Sequence, residues 1–344
     1  TKDLAAAAFA SGRRVHANEK SYNNEFGVPL TIMGAAPDTE VIIAELGERK
    51  PGDLAHLARI TVPNTAIVTH VGLAHAEFLG GRAGVAETLA ELLEALPADG
   101  LAVLNADDDF TPMLRERTAA SVLTVGYGIE MTPDVRISDL GIDAELRPSF
   151  RLESPWGAST VHLELRGEHQ AANAAMAAAA AMHHGLDVDA VSEALASVHG
   201  QSWRMQVTRT DHGVTIVNDA YNANPASMAA ALRAFQKLAI DGRRIAVLGS
   251  MFELGEHAGP AHAEIGRTVA RCGVNQLIAV GDLAREIADH ATPVPSEWVA
   301  DAPGALAAVD ALGLRAGDAV LIKASRGVGL EALADALIAQ GVRS

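Results

Sequence analysis

A chain of 344 residues, 49% hydrophobic and 20% charged, is long enough for two cores and too apolar to remain disordered. Its formal charge of −16 (27 Lys and Arg against 43 Asp and Glu) and its lack of a basic run argue against a nucleic-acid binder. No apolar run approaches the roughly 18 residues of a membrane span, and no signal-peptide cleavage pattern follows the Ala-rich start, so neither membrane insertion nor export is expected. An anionic nucleotide would have to be held locally, by backbone amides, Mg²⁺ and a few placed cations. The single cysteine, Cys272, excludes an internal disulfide and a Cys-based metal site. It reads as a small semi-buried hydrophobe in a reducing, cytoplasmic protein.

The chain opens on a helical stretch, "TKDLAAAAFA", with no initiator Met ahead of it. Short β-branched or Leu-rich runs follow at 40–47 ("EVIIAELG"), 65–72 ("TAIVTHVG") and 101–107 ("LAVLNAD"), separated by helical stretches such as "GDLAHLARI" and "GVAETLAELLEAL". That alternation predicts a parallel sheet flanked by helices, with functional residues at the carboxyl ends of the strands. Glu45, His70, His75 and Asn105 to Asp109 fall there. From about 125 to 165 the segments become short and alternating, which predicts a small antiparallel patch added to the first sheet. "GEHQAANAAMAAAAAMHHG" then reads as one long helix whose small residues permit close packing.

Near residue 201 the same grammar restarts: "GVTIVNDA", "RRIAVLGS", "QLIAVGD" and "DAVLIKAS" are four strand-like runs separated by helices. The boundary is placed in "SVHGQSW" (197–203). The expected fold is therefore α/β: a domain at 1–200 with a central, mostly parallel sheet and a small antiparallel patch, then a Rossmann-like α/β domain at 201–344.

Three clusters carry possible chemistry. "VNDAYNANPASM" (217–228) sets Asp219, Tyr221, Asn222 and Asn224 in the turn after a strand, with Pro225 in the first turn of a helix. Amides there can read the edge of a planar base, or they can simply be turn and cap residues. "HVGLAHAEFLGG" (70–81) combines two histidines and Glu77 after a strand. With Glu45 it offers an imidazole and a carboxylate to a hard cation near phosphates, although histidine is an uncommon ligand for Mg²⁺ and is often structural. "LIKASRG" (321–327) ends a strand with Lys323, Ser325 and Arg326. These suit a carboxylate or phosphate ligand, or a solvated strand end.

In their order along the chain these pieces resemble the Mur ligases. The matching segments include "YNNEFGVPLT" (22–31), "AELGERKPGDLAHLARITVPNTAIVTHVGLAHAEFLGG" (44–81), "LNADDD", "GEHQAANAAMAAA", "WRM" (203–205), "NDAYNANPASM", "AVLGSMFELGEHAGPAH", "VGD" and "KASRG". "NNEFGVPLT" together with "YNANPASM" points to the MurF branch. The resemblance implies an ATP- and Mg²⁺-dependent cytoplasmic ligase, monomeric, whose partners are UDP-N-acetylmuramoyl-tripeptide and D-alanyl-D-alanine. The substrate carboxylate would attack the γ-phosphate of ATP, and the dipeptide amine would then attack the resulting acyl-phosphate.

By the same resemblance Glu45 belongs to the Mg²⁺ site, and His75 to that site and to catalysis. Asn222 and Asn224 lie near adenine, Asp282 at the ribose, and Arg204 at the ATP phosphates. His169 and Asn173 face the active site from the start of the Ala-rich helix, and Asn23 and Asn24 touch the muramyl-peptide. Lys323, Ser325 and Arg326 take the dipeptide or the acyl-phosphate.

The pattern departs from the family in three places. The chain starts just past the expected phosphate-binding Gly-rich loop and amino-terminal domain, so as given it is expected to be the front-truncated central and carboxyl-terminal domains, without turnover. Leu89 stands where many members have a lysine, carbamylated to hold a second Mg²⁺, and Ser250 stands where an acid is usual. The competing readings are another Mur or folylpolyglutamate-type ligase, or a degenerate relative that binds without catalysing.

Overall fold

The computed structural model describes residues 1–73 and 76–340. The chain divides into two compact units: Thr1–Asp143 with Arg147–His199, and Ala144–Leu146 with Gly200–Ser344.

The first unit runs α1 (Lys2–Ala10), β1 (Val15–Ala17), α2 (Gly27–Gly34), β2 (Val41–Ile43), α3 (Asp53–Thr61), β3 (Thr65–Val68), α4 (Ala76–Leu79), α5 (Gly81–Glu94), β4 (Leu101–Asn105) and α6 (Thr111–Arg115). It continues through β5 (Ser121–Gly126), β6 (Val135–Ile142), β7 (Pro148–Ser154), β8 (Gly157–His162), α7 (His169–His183) and α8 (Val188–Ala196). Its sheet has the order β3-β4-β5-β6-β7-β8, parallel as far as β6 and antiparallel beyond, so the alternating segments do extend the parallel sheet.

Two details differ from the sequence reading. β5 is an additional parallel strand that bridges the two textures. "EVIIAELG" supplies only the short β2, and it pairs with β1 in a separate two-stranded sheet through Val15–Val41 and Ala17–Ile43. Three-residue ladders bury too little to announce their partner; Val15, Val41 and Ile43 instead pack half-buried on the main core.

Helix α7 is the spine of this core. Ala is the best helix former and its single methyl lets backbones approach closely. Ala174 through Met182 are all buried, and the helix lies against β3 to β7 with α1 and α8 beside it. A second cluster on the other side joins β3 and β4 to α5 through Val68, Val85, Ala90, Leu93, Ala102 and Leu104.

The second unit contains β9 (Gln206–Arg209), β10 (Thr215–Asn218), α9 (Pro225–Lys237), β11 (Arg244–Gly249), α10 (Ala258–Arg271), β12 (Gln276–Val280), α11 (Arg285–Asp289), β13 (Ser296–Val299), α12 (Ala302–Ala311), β14 (Ala319–Lys323) and α13 (Glu331–Gln340). The sheet order is β13-β12-β11-β14-β10-β9, all parallel except β9, which runs antiparallel to β10 at the edge. The central strands, buried on both faces, are continuous apolar runs such as "AVLI" in β14, the expected signature of a covered parallel sheet. The edge strands β9 ("QVTR") and β13 ("SEWV") are half-exposed and polar, which is why the sequence did not announce them.

Candidate active site

In the first unit the residues at the ends of β1 and β2 are tied by side-chain amides. Asn18 Oδ1 accepts from the Glu45 N–H at 2.9 Å, and Asn23 Nδ2 donates to Glu45 Oε1 at 2.9 Å. The Asn23 carbonyl accepts from the Gly47 N–H at 2.8 Å, and a Cβ on Gly47 would stand 2.9 Å from Asn23 Cγ, so a side chain there would push the Asn23 amide aside. Lys2 Nζ donates to the Asn18 carbonyl at 2.5 Å. Asn18 was not singled out in the sequence; its only signal is an amide directly after a strand.

Asn24, the second amide of "NNEFG", accepts from the Gly27 N–H at 2.9 Å and the Phe26 N–H at 3.2 Å, opening α2. Gly27 lets the Tyr22 backbone come so close that a Cβ would lie 2.5 Å from its carbonyl carbon. The motif therefore has a local structural cause: one amide starts the helix and leaves its neighbour directed to Glu45.

Past β3 and β4, the buried Asp108 gathers a loop. Its Oδ2 accepts from the Val71 N–H at 2.7 Å and pairs with His70 Nδ1 at 2.9 Å, while Oδ1 accepts from the Phe110 N–H at 3.0 Å. Burial pushes this carboxyl up, but the His70 contact and the two amides outweigh it and hold it below the usual range. Arg82 braces the same loop, donating to the Val71 carbonyl at 3.0 Å and pairing with Asp109 through both terminal nitrogens. Asn105 donates to the Thr69 carbonyl at 3.0 Å, and Asp107 accepts from the amides of Tyr127, Gly128 and Ile129. His75 lies outside the described residues.

At the start of α7, Asn173 Nδ2 donates to Gln170 Oε1 at 3.3 Å, and Gln170 Nε2 lies 3.2 Å from Nε2 of the exposed His169. Gln170 thus joins the two residues of the sequence pattern. Gly167, at φ 100°, makes room for the imidazole: a Cβ there would fall 2.7 Å from His169 Cε1. The nearby Tyr127 phenol is pushed up to about 12 by burial and by the charges of Glu168 and Asp107. Leu89, in α5, packs between the two hydrophobic clusters that flank that helix.

In the second unit the candidate residues stand at the carboxyl ends of β10, β11, β12 and β14, except Arg204, which precedes β9. Asn224 is the N-cap of α9: its Oδ1 accepts from the Ser227 N–H at 2.8 Å and the Ser227 hydroxyl accepts from its N–H at 3.0 Å, with Pro225 at the first helical position. Asn222 is exposed, with its Oδ1 turned to the Ala223 N–H at 2.9 Å. Asp282 follows β12 after Gly281, whose φ of 88° makes the turn, and the Gly281 carbonyl accepts from Trp298 Nε1 at 2.9 Å.

Lys323 is enclosed, its side chain 3% exposed, and donates to Asp219 Oδ2 at 2.7 Å and to the Asn222 carbonyl at 2.9 Å. Ser325 is also buried; its hydroxyl accepts from the Phe252 N–H at 2.9 Å and donates to the Ala223 carbonyl at 3.3 Å. Arg326 is exposed and faces the rings of Tyr221 and Trp203, and Arg204 stacks on Tyr221 at 4.1 Å. Ser250, buried after β11, gives its carbonyl to the Ser325 N–H at 3.1 Å. The next residue, Met251, donates its N–H to His262 Nε2 at 2.8 Å, while His262 Nδ1 is 2.7 Å from the Ala258 carbonyl. His262 closes the segment "AVLGSMFELGEHAGPAH" but was given no role in the sequence, where a lone helical histidine names no partner.

Among the described residues no three metal-ligating side chains converge. Glu45, whose Oε1 accepts from the Asn23 amide nitrogen, fits a hard cation held chiefly by water and phosphate oxygens and does not make an all-protein cage.

The chain as a whole is similar to known proteins. A family model for the Mur ligase middle domain matches residues 1–181, and one described as the Mur ligase glutamate ligase domain matches 203–326. The chain is 41% identical, over 98% of its length and 70% of the relative's, to a UDP-N-acetylmuramoyl-tripeptide–D-alanyl-D-alanine ligase of Mycobacterium tuberculosis. It is 31% identical to the Bacillus subtilis ligase of the same name, over 98% and 73%. Among solved structures it is similar to MurF from Acinetobacter baumannii, with a TM-score of 0.91, 26% identity and coverage of 98% and 73%. It is likewise similar to a Thermotoga maritima MurF ligase in complex with ADP, at 0.85, 26%, 99% and 78%. With the middle-domain match alone spanning over half of the residues, and relatives at 41% identity along nearly all of them, this chain belongs to the Mur ligase family.

Proposed function

We propose that this chain serves the ATP-dependent joining of D-alanyl-D-alanine to UDP-N-acetylmuramoyl-tripeptide in peptidoglycan precursor synthesis, in the cytoplasm. The observation that carries this reading is the gathering of Asn222, Asn224, Asp282, Ser325 and Arg326 at the carboxyl ends of the parallel strands of one sheet, in a chain 41% identical to a ligase of that name. In this reading residues 1–200 are the ATP-binding domain and 201–344 the carboxyl-terminal domain.

The tripeptide carboxylate attacks the γ-phosphate of ATP, giving an acyl-phosphate and ADP. The amine of the dipeptide then adds to the acyl carbon, and the tetrahedral adduct collapses with release of phosphate. Glu45 and His75 would hold Mg²⁺, which when bound neutralises phosphate charge. Asn222 and Asn224 receive adenine and Asp282 the ribose. Arg204, with its guanidinium pre-set on Tyr221, meets the phosphates, and Arg326 and Ser325 lie toward the dipeptide and acyl-phosphate. His169 and Asn173 support the nucleotide site, and Asn23 and Asn24 the muramyl-peptide. Such chemistry depends on positioning and charge neutralisation more than on covalent help from the protein.

Titration calorimetry tests the reading. MgATP should bind saturably, and Asp282→Ala should weaken it about tenfold, the loss of roughly one hydrogen bond to a ligand. D-alanyl-D-alanine should bind where L-glutamate does not. No MgATP binding, or a preference for glutamate, would sink it.

A further inference from the structure

Arg204 sits between two residues, Trp203 and Met205, whose backbones lie in the left-handed region at φ 63° and 47°. Residues with side chains adopt that conformation at a cost, and it persists only where the surroundings over-determine it. Three contacts do so here. Gln206 Oε1 accepts from the Trp203 N–H at 3.2 Å, the Trp203 carbonyl accepts from the Tyr221 N–H at 3.1 Å, and Asp219 Oδ1 accepts from the Met205 N–H at 3.0 Å. Their product is the Arg204 guanidinium at 4.1 Å from the centre of the Tyr221 ring, with Arg326 at 5.5 Å from the same ring.

The other oxygen of Asp219 is held by Lys323 at 2.7 Å, and Lys323 is anchored in turn on the Asn222 carbonyl at 2.9 Å. With both side chains largely out of water, either charge without its partner would be unfavourable, so the ammonium fixes where the carboxylate sits. An ammonium so enclosed also reaches no ligand without leaving its pair. We propose that Asp219 and Lys323 are positioning residues: Lys323 orients Asp219, Asp219 pins the Met205 amide, and the strained turn then presents Arg204 on the face of Tyr221. The inference rests on the ligase reading only for what Arg204 binds.

The experiment uses the whole chain with selectively labelled arginine. Side-chain protons of Arg204, identified by Arg204→Lys, should be shifted upfield by the Tyr221 ring. Lys323→Met should abolish that shift while circular dichroism and melting report a folded protein; should Lys323→Met fail to fold, Lys323→Gln is read in the same way. A shift that survives in the folded variant overturns the proposal. Calorimetry with MgATP then asks whether the residues act as one unit. Arg204→Ala, Lys323→Met and the double variant should each weaken binding by the same factor, about tenfold. Losses that multiply in the double variant would overturn the shared route. An Arg204→Ala variant with unchanged MgATP affinity refutes the phosphate role of Arg204, while the ring shift still decides the positioning claim.

Discussion

His262 illustrates how one buried side chain supports a loop at a strand end. Its ring is fully buried, Nε2 accepts from the Met251 amide, and Nδ1 faces the Ala258 carbonyl, so the neutral tautomer is the one that fits. Burial holds this imidazole below its ordinary range, against smaller opposing pulls from the Ala258 carbonyl and Glu286. In acid the unfolded chain takes up a proton that the folded chain resists. The stabilisation is therefore complete above the unfolded value, about 6.5, and is lost as pH falls below it toward the depressed folded value. Urea midpoints at pH 7.5 and 5.5 should show this loss, and His262→Gln should be less stable at pH 7.5 but flatter with pH. Parallel curves for the two proteins would rule the residue out as the source. Several site residues have a comparable double character. Asn224 is both a candidate base-reading amide and the N-cap of α9, so the turn reading and the functional one describe the same atom group from two sides.

Helices and strands here follow their local sequence unless burial intervenes. α7 was legible as a single helix, because nine of its fifteen residues are Ala and none is Gly or Pro. Its depth in the core was suggested by residue size, but the strands it crosses are set by tertiary packing. Ala177 is fully buried, so Ala177→Leu adds volume where there is no space; the expected cost is about 1–3 kcal/mol in urea unfolding. A neutral result would mean that α7 has room beneath it. The central strands of the second sheet and β4 of the first were equally legible, since burial on two faces demands unbroken apolar runs, whereas β5, which opens on an exposed Ser121 and carries Thr124, was legible only in the structure. β9 and β13 were not legible either, because half-exposed edges satisfy their ladders with polar sequences. β2 was legible as a strand but not in its pairing, which its three residues do not specify.

Across the full chain, 43 acidic against 27 basic residues leave a charge of −16 that opposes compaction. Part of it is offset locally by exposed pairs such as Arg117 with Glu87 and Glu94, or Arg147 with Asp143 and Glu164, but surface pairs contribute little each. Raising NaCl from about 0.02 to 0.2 M shortens the Debye length from roughly 20 to 7 Å and should raise the melting temperature. A lower melting temperature would mean that the ion pairs outweigh the net repulsion.

The α/β class, the restart of the fold near residue 201 and the family motifs were all readable along the chain, since periodicity, glycine placement and strand-end amides are local properties. Other features required the folded chain. Asp219 and Lys323 are 104 residues apart, and only the parallel pairing of β10 with β14 brings their strand ends together. The same pairing turns a lysine that reads as a ligand contact into a buried partner for a carboxylate. Motif order follows from covalent sequence, but burial and long-range contact follow from how strands are shuffled within a sheet, which no local window contains.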